Sequence, residues 1–320
     1  MKLKSMLVGM TVLAASAFSL SAMAAAYPNK PVTVICPWAA GGGTDVLLRA
    51  LSKEAEKSLG QTINVTNQTG GGGAIGHNAI RAARPDGYTV GMITFELNSL
   101  PPQGLVPFTW KDFDPLMRIN SDAAALTVPK DAPYDTAAEF VAYAKAHPGE
   151  ITIGNSAPGS VWHIAAGLLA EKTGIDVKHV PFNGAQPAVT SLVGGHIKAV
   201  AVSTAEVRGQ VEAGNLKIIG VMAGERENLF PNVPTFKEQG IDVEFSTWRG
   251  MALPKGVAPD VRAKVIDAYT KAIESQEFRD FAAKAGLSLA YQDADEFARF
   301  LDQNYKDVEA VMTSLGLIKK

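Results

Sequence analysis

Apolar residues along this chain gather in short, nearly continuous runs that alternate with stretches of helical spacing, and glycine marks many junctions. Val32–Cys36 is a run of the buried-strand kind. A glycine-rich loop follows. Val46, Leu47, Ala50, Leu51 and Ala55 then recur at helical spacing, which predicts a helix over 44–59 that stops at Gly60. A strand is expected over 63–66, a short helix over 74–83, a turn at Arg84-Pro85-Asp86-Gly87 and a strand over 88–95. Strands alternating with helices in this way imply a parallel sheet covered by helices.

The order recurs downstream. A strand is expected over 151–153, a loop over 155–159, a helix over 160–172 ended by Gly174, and a strand over 177–180. A helix over 183–193 ends at Gly194-Gly195, and strands over 199–202 and 217–221 enclose a helix over 204–213. Beyond Asp260 the spacing is helical over 261–273, 277–285 and 294–315. Two α/β units of similar plan predict two lobes with a cleft. The segments near 124–129 and 245–254 are candidate crossovers. Lobe 1 is then expected to comprise 27–123 plus 249–320, and lobe 2 residues 124–248, with the C-terminal helices returning to lobe 1.

The first 26 residues stand apart. Lys2 and Lys4 precede an apolar, alanine-rich stretch, and Ala22-Met23-Ala24 and Ala24-Ala25-Ala26 both fit a small-residue cleavage site. This is the pattern of a secretory signal peptide, so residues 1–26 are expected to be removed and the mature chain to be exported. No later stretch reaches 18 unbroken apolar residues, the length a membrane span requires. The 320 residues carry a net charge of −2; removing the leader takes two Lys and no acid, leaving −4. That balance excludes a general nucleic-acid binder, which needs a basic excess or stripe. The single cysteine, Cys36, cannot form an intramolecular disulfide or a thiolate zinc site, and its apolar run makes it a buried strand residue.

Seven of the 30 glycines fall in two runs, Gly41–Gly43 and Gly70–Gly73. In Pro37-Trp38-Ala39-Ala40-Gly41-Gly42-Gly43-Thr44-Asp45 the glycines immediately precede a helix. Such a loop lets backbone approach a ligand, with free N–H groups and the positive helix end behind it. Asp45 admits two further roles, as a cap or as the i,i+4 partner of Arg49. The second candidate loop is Gly154-Asn155-Ser156-Ala157-Pro158-Gly159-Ser160, before the helix that bears His163. Ser160 reads equally as a helix cap, and His163 as a residue packed beneath the loop. One such loop per lobe makes a site for a ligand with carboxylates.

Enzyme signatures are weaker. Gly154-Asn155-Ser156-Ala157-Pro158 lacks the second glycine of a nucleophile elbow. The five histidines show no H-E-x-x-H spacing. Gly71-x-Gly73-x-x-Gly76 formally fits a dinucleotide fingerprint, with Glu96 twenty residues further on. An exported chain meets no maintained nicotinamide pool, and a four-glycine run matches that pattern easily. No catalytic residue, metal ligand or cofactor is therefore assigned.

The mature sequence resembles, over essentially its whole length, the substrate-binding proteins of tripartite tricarboxylate transporters, the Bug family. The resemblance rests on Tyr27-Pro28-Asn29-Lys30-Pro31-Val32, on the loop from Pro37 to Asp45, and on Asn67-Gln68-Thr69 with the Gly70–Gly73 run after it. Pro85-Asp86-Gly87-Tyr88-Thr89, Val180-Pro181-Phe182-Asn183-Gly184, Pro231-Asn232-Val233-Pro234-Thr235 and Trp248-Arg249-Gly250 extend it. Each is weak alone; their order and spacing are specific.

The resemblance implies an α/β, two-lobed periplasmic binding protein (type II-like), with parallel-dominated sheets flanked by helices and a ligand cleft between the lobes. It implies a receptor, not an enzyme, that captures a small organic carboxylate, a di- or tricarboxylate favoured. The alternatives are an amino acid or a nicotinate-like aromatic acid on the same fold, or an exported α/β enzyme. The ligand residues it implies are Trp38, Gly42, Gly43, Thr44 and Asp45 in the first loop, and Asn155, Ser156, Gly159, Ser160 and His163 in the second. Phe182, Asn183 and Ser203 match further cleft positions. Ser191-Leu192 and Ala201-Val202 replace two family acids, which favours a purely anionic ligand. Phe95-Glu96-Leu97-Asn98 replaces a small polar stretch, and Glu96 is expected at the distal part of the pocket. The implied partners are transporter membrane subunits or a sensor, with the protein a monomer.

Overall fold

The computed structural model describes residues 27–318; the expected leader lies outside them. The chain begins with β1 (Val32–Cys36), α1 (Gly43–Leu59), β2 (Ile63–Asn67), α2 (Ala74–Arg81), β3 (Thr89–Thr94), the one-turn α3 (Glu96–Ser99) and β4 (Phe113–Asn120). It continues with β5 (Ala124–Pro129), α4 (Ala137–Ala146), β6 (Ile151–Asn155), α5 (Val161–Thr173) and β7 (Val177–Pro181). Then come α6 (Ala185–Val193), β8 (Ala199–Ser203), α7 (Thr204–Glu212) and β9 (Leu216–Val221). A long crossover leads to β10 (Arg249–Pro254), α8 (Pro259–Glu274), α9 (Gln276–Ala285), β11 (Leu289–Gln292) and α10 (Ala294–Ser314).

These strands form two sheets. One has the order β11-β4-β10-β3-β1-β2 and the other β7-β6-β8-β5-β9. Sheet membership changes between Asn120 and Ala124, and again between Val221 and Arg249. The βαβ units make the parallel ladders, β1 with β2 and β3, and β6 with β7 and β8. The expected dominance of parallel pairing does not hold, because β4, β5, β9, β10 and β11 all pair antiparallel. Each sheet is mixed. Strands that carry the chain between sheets arrive without a crossover helix beside them, so nothing constrains them to run parallel.

Period-two alternation sorts the side chains. Val32, Val34 and Cys36 pack with Leu47, Leu48, Leu51 and Ala55 of α1, whereas Ile35 joins the opposite layer with Ile80 and Phe95. Val90, Met92, Met251 and Leu253 share the α1 side, which α8 and α9 complete through Val265, Tyr269 and Phe278. The larger core fills the second sheet and extends to Phe297, Leu301 and Met312 of α10. The fingerprint-like Gly76 has a packing reason. A Cβ there would meet Pro37 Cα at 2.6 Å and Gln68 O at 2.7 Å, so α2 lies directly against two backbones.

The crossover after β9 holds Glu227, which accepts a hydrogen bond from Thr204 Oγ1 at the start of α7. Burial pushes its carboxyl up to about 7, and Asp122 adds to the shift. A carboxyl raised on folding stabilises the fold below its unfolded value and loses that contribution as pH rises through its folded value. Urea unfolding should therefore show wild type losing stability between about pH 5 and pH 8 relative to E227Q. The gap should approach about 1–2 kcal/mol at the upper end, allowing for partial exposure, and close below about pH 4.5. A gap independent of pH would contradict this assignment.

Candidate functional site

The two loops singled out by sequence meet at the seam between the sheets. Trp38, Gly42, Gly43 and Thr44 of the first line a small chamber with Thr94, Glu96 and Arg249. Ser156, Val161, Trp162, Gly184, Ala185 and Glu206 line it from the second sheet. Its volume is about 20 Å³, room for roughly one water. The first residues of α1, α5 and α6 all lie in this wall. Their leading N–H groups lack intrahelical partners, so three positive helix ends converge on one point.

Asp45 does not line the chamber. Its carboxylate accepts from Gly41 N (2.9 Å), Arg49 Nε (3.0 Å) and Asn67 Nδ2 (2.8 Å). Burial alone would raise its pKa, but those hydrogen bonds outweigh burial and hold it below the usual carboxylate range. It fixes the loop's shape, and the chain uses the i,i+4 geometry with Arg49. Asn67 also donates to Trp38 O (2.9 Å), which ties the loop to β2. Trp38 Nε1 donates to Thr94 Oγ1 at 3.2 Å.

In the second loop Ser156 Oγ donates to Ser160 Oγ, and Ser160 Oγ to Ala157 O, each at 2.7 Å. Gly159 N donates to His163 Nδ1 at 2.8 Å, so His163 props the loop from below. Burial, with His179 edge-on at 4.3 Å, pushes His163 down to about 4. The imidazole is therefore neutral, as an acceptor must be. Asn155 shares a 3.2 Å hydrogen bond with His179 and carries no chamber wall. Phe182 and Asn183 face a separate, open groove of about 780 Å³, with Gly72, Leu100, Leu105 and Ala157. Ser203 is fully buried behind the chamber and accompanies Glu206 in a capping box at the start of α7.

Two charged wall residues, Arg249 and Glu206, carry no site role in the sequence. Arg249 is 2% exposed. Its Nε donates to Thr44 Oγ1 (2.9 Å), its Nη1 pairs with Asp122, and its Nη2 lies 3.5 Å from Glu206 Oε1. It thus joins the first loop, the 121–123 crossover and α7. Trp248-Arg249-Gly250 stands out as a motif, which was the available signal. Glu206 closes the capping box of α7 with Ser203; burial raises its carboxyl, against the pull of Arg249. Glu96 lines the same chamber, and burial raises its carboxyl. Among the described residues no group of three or more His, Cys, Asp or Glu could hold a metal ion, and no helix is long and apolar enough to cross a membrane.

This architecture has known relatives. A UPF0065 protein from the gbd 5′ region of Cupriavidus necator is 32% identical over 95% of this chain and 93% of its own length. A TctC solute-binding protein from Polaromonas, solved with no ligand, is 40% identical, spans 90% of this chain and 99% of its own, and superposes with a TM-score of 0.66. MatC from Rhodopseudomonas palustris, solved with bound malate, is 25% identical, spans 89% and 99%, and superposes at 0.83. The family model described as the tripartite tricarboxylate transporter family receptor matches residues 47–317. With two mixed sheets closing a chamber of helix N-termini, this chain belongs to that family of solute-binding receptors.

Proposed function

We propose that the protein captures a small organic carboxylate, a di- or tricarboxylate favoured, in the periplasm and presents it to the membrane subunits of a tripartite transporter. The observation that carries this is the chamber itself: three helix N-termini and one buried guanidinium converge where the two sheets meet. The bound malate of MatC supports the ligand class. We take 27–123 plus 249–320 as lobe 1 and 124–248 as lobe 2, hinged at the two crossovers. Trp38, Gly42, Gly43, Thr44 and Ser156 are proposed as ligand contacts. Asp45, Asn155, Gly159, Ser160, His163 and Ser203 brace the loops behind those contacts, and Phe182 and Asn183 line the separate groove outside the chamber.

Micromolar affinity is about −8 kcal/mol. A helix end contributes at most about 2 kcal/mol, so direct hydrogen bonds and Arg249 must supply a large share. A receptor role without catalysis is supported by the hydroxyls of Ser156 and Ser160, which bond to each other and to Ala157 O instead of to an imidazole. A second reading, an acid that also carries an ammonium group, is favoured by the buried carboxylates of Glu96 and Glu206 in the wall. Thermal-shift screening separates the two. Succinate, malate, citrate or adipate should raise the melting temperature by several degrees. A shift confined to amino acids would establish the second reading, and no shift with any acid would remove both.

A further inference from the structure

Glu96 is buried at 1% exposure in the wall of the chamber. It opens α3 at the end of β3, in the first sheet's unit. Its Oε1 accepts from Val161 N at 3.1 Å, across the seam. Val161 is the first residue of α5, which belongs to the second sheet's unit. Its Oε2 accepts from Thr94 Oγ1 at 2.6 Å, and Thr94 in turn accepts from Trp38 Nε1. A side-chain carboxylate of one lobe therefore sits on the leading N–H of the other lobe's binding helix. That N–H belongs to the helix terminus that the reading above gives to a ligand carboxylate.

The surrounding charges leave this contact without an ionic anchor. Arg249, the cation of the chamber, pairs with Asp122 and Glu206. Among the described residues Glu96 has no ion pair, and it accepts hydrogen bonds from two neutral groups. A carboxylate entering from outside would meet the same N–H and the same helix end, with Arg249 close by. Both anions cannot use one donor. The structure with malate bound in MatC superposes better on this one than does the unliganded Polaromonas protein, despite lower identity.

We propose that Glu96 is a tethered carboxylate that latches the lobes through the α5 N-terminus and competes there with the ligand's own carboxylate, so that displacing it sets affinity and selectivity. This rests on the carboxylate reading for its competition arm, whereas the latch can be read without any ligand.

The experiment uses protein unfolded in guanidinium, dialysed and refolded to strip bound solutes. Small-angle scattering without ligand, and calorimetric titration with malate and succinate, are compared for wild type, E96S and V161P. Proline is tolerated at a first helical position, so V161P removes the donor and spares both the helix and Glu96. E96S and V161P should both show a larger radius of gyration than wild type. E96S should bind malate and succinate roughly tenfold more tightly, as expected if about nine-tenths of wild-type molecules are latched. V161P, lacking the shared donor, should gain no affinity. Weaker malate binding by E96S would overturn the competition and make Glu96 a ligand contact. An unchanged radius in both variants would overturn the latch. Silence of every variant toward all carboxylates would sink the carboxylate reading and the competition with it, while the scattering still decides the latch.

Discussion

Replacing Arg249 with Ala should lower the unfolding free energy by about 3–5 kcal/mol, the cost of leaving buried partner charges uncompensated. Arg249, Asp122 and Glu206 are all nearly inaccessible, at 2%, 2% and 5% side-chain exposure. Asp122 keeps hydrogen bonds from Asn120 Nδ2 and Ser288 N, at 2.8 and 2.9 Å, but loses the only cation in contact with it among the described residues. Glu206 can escape by protonation, because burial already raises its carboxyl. The deficit should therefore be larger at pH 8 than at pH 5: with Arg249 gone the folded-state pKa of Glu206 climbs further, and the cost appears as pH rises through it. R249K should recover part of the stability but not the three-way contact, since an ammonium cannot present the guanidinium fork to Thr44, Asp122 and Glu206 together. Chemical denaturation at the two pH values reads this directly. A loss below about 1 kcal/mol at pH 8, the range of exposed ion pairs, would show the network to be dispensable.

The same residue shows where the sequence stops being informative. The βαβ units, the two glycine-led helix starts and the stops at Gly60 and Gly174 follow from local patterns, and those elements stand where periodicity puts them. Elements set by partners far along the chain do not. Phe113–Asn120 reads poorly as a strand because Pro115 and the charged Asp114 and Arg118 interrupt it. It becomes a strand because β10 and β11 flank it, and the register slips next to the Ala252–Pro115 pair, where a proline cannot donate. The site divides in the same way. Gly42–Thr44 and Ser156 are legible, since a glycine or serine loop before a helix announces free N–H groups. Arg249 reaches Thr44 across 205 residues, and Glu206 enters the chamber from a helix start where it also closes a capping box with Ser203. Glu96 follows a strand and opens a single helical turn, too short for any periodicity to reveal which way it faces.

Gly43→Val should separate binding from folding. It should weaken carboxylate affinity at least about 100-fold, equivalent to about 2.7 kcal/mol, while lowering the unfolding free energy by no more than about 1.5 kcal/mol, the most that giving up a closed state of about nine-tenths population costs. Gly43 is the first residue of α1, and a Cβ on it would meet Arg249 Nη2 and Glu206 Cγ at 3.0 Å and Glu206 Oε1 at 3.1 Å. Glu206 belongs to the other sheet's unit, so much of this crowding exists only while the seam is closed. Opening the seam relieves the clash of a valine with Glu206, leaving the flexible Arg249 side chain to shift. The fold keeps most of its stability, and Val is a better helix residue than Gly. Closure is what a ligand's differential affinity must drive, so the closed state becomes less accessible by the full strain. G43A, whose single methyl asks neighbours to move a few tenths of an ångström, should fall between wild type and G43V. Calorimetry with the acid that gives the largest thermal shift, beside urea unfolding of the same proteins, tests both halves. In R249A the loss of stability dominates; in G43V the loss of binding does. Wild-type affinity in G43V would mean that the ligand is held without bringing Glu206 against α1, and the chamber could not then be the site.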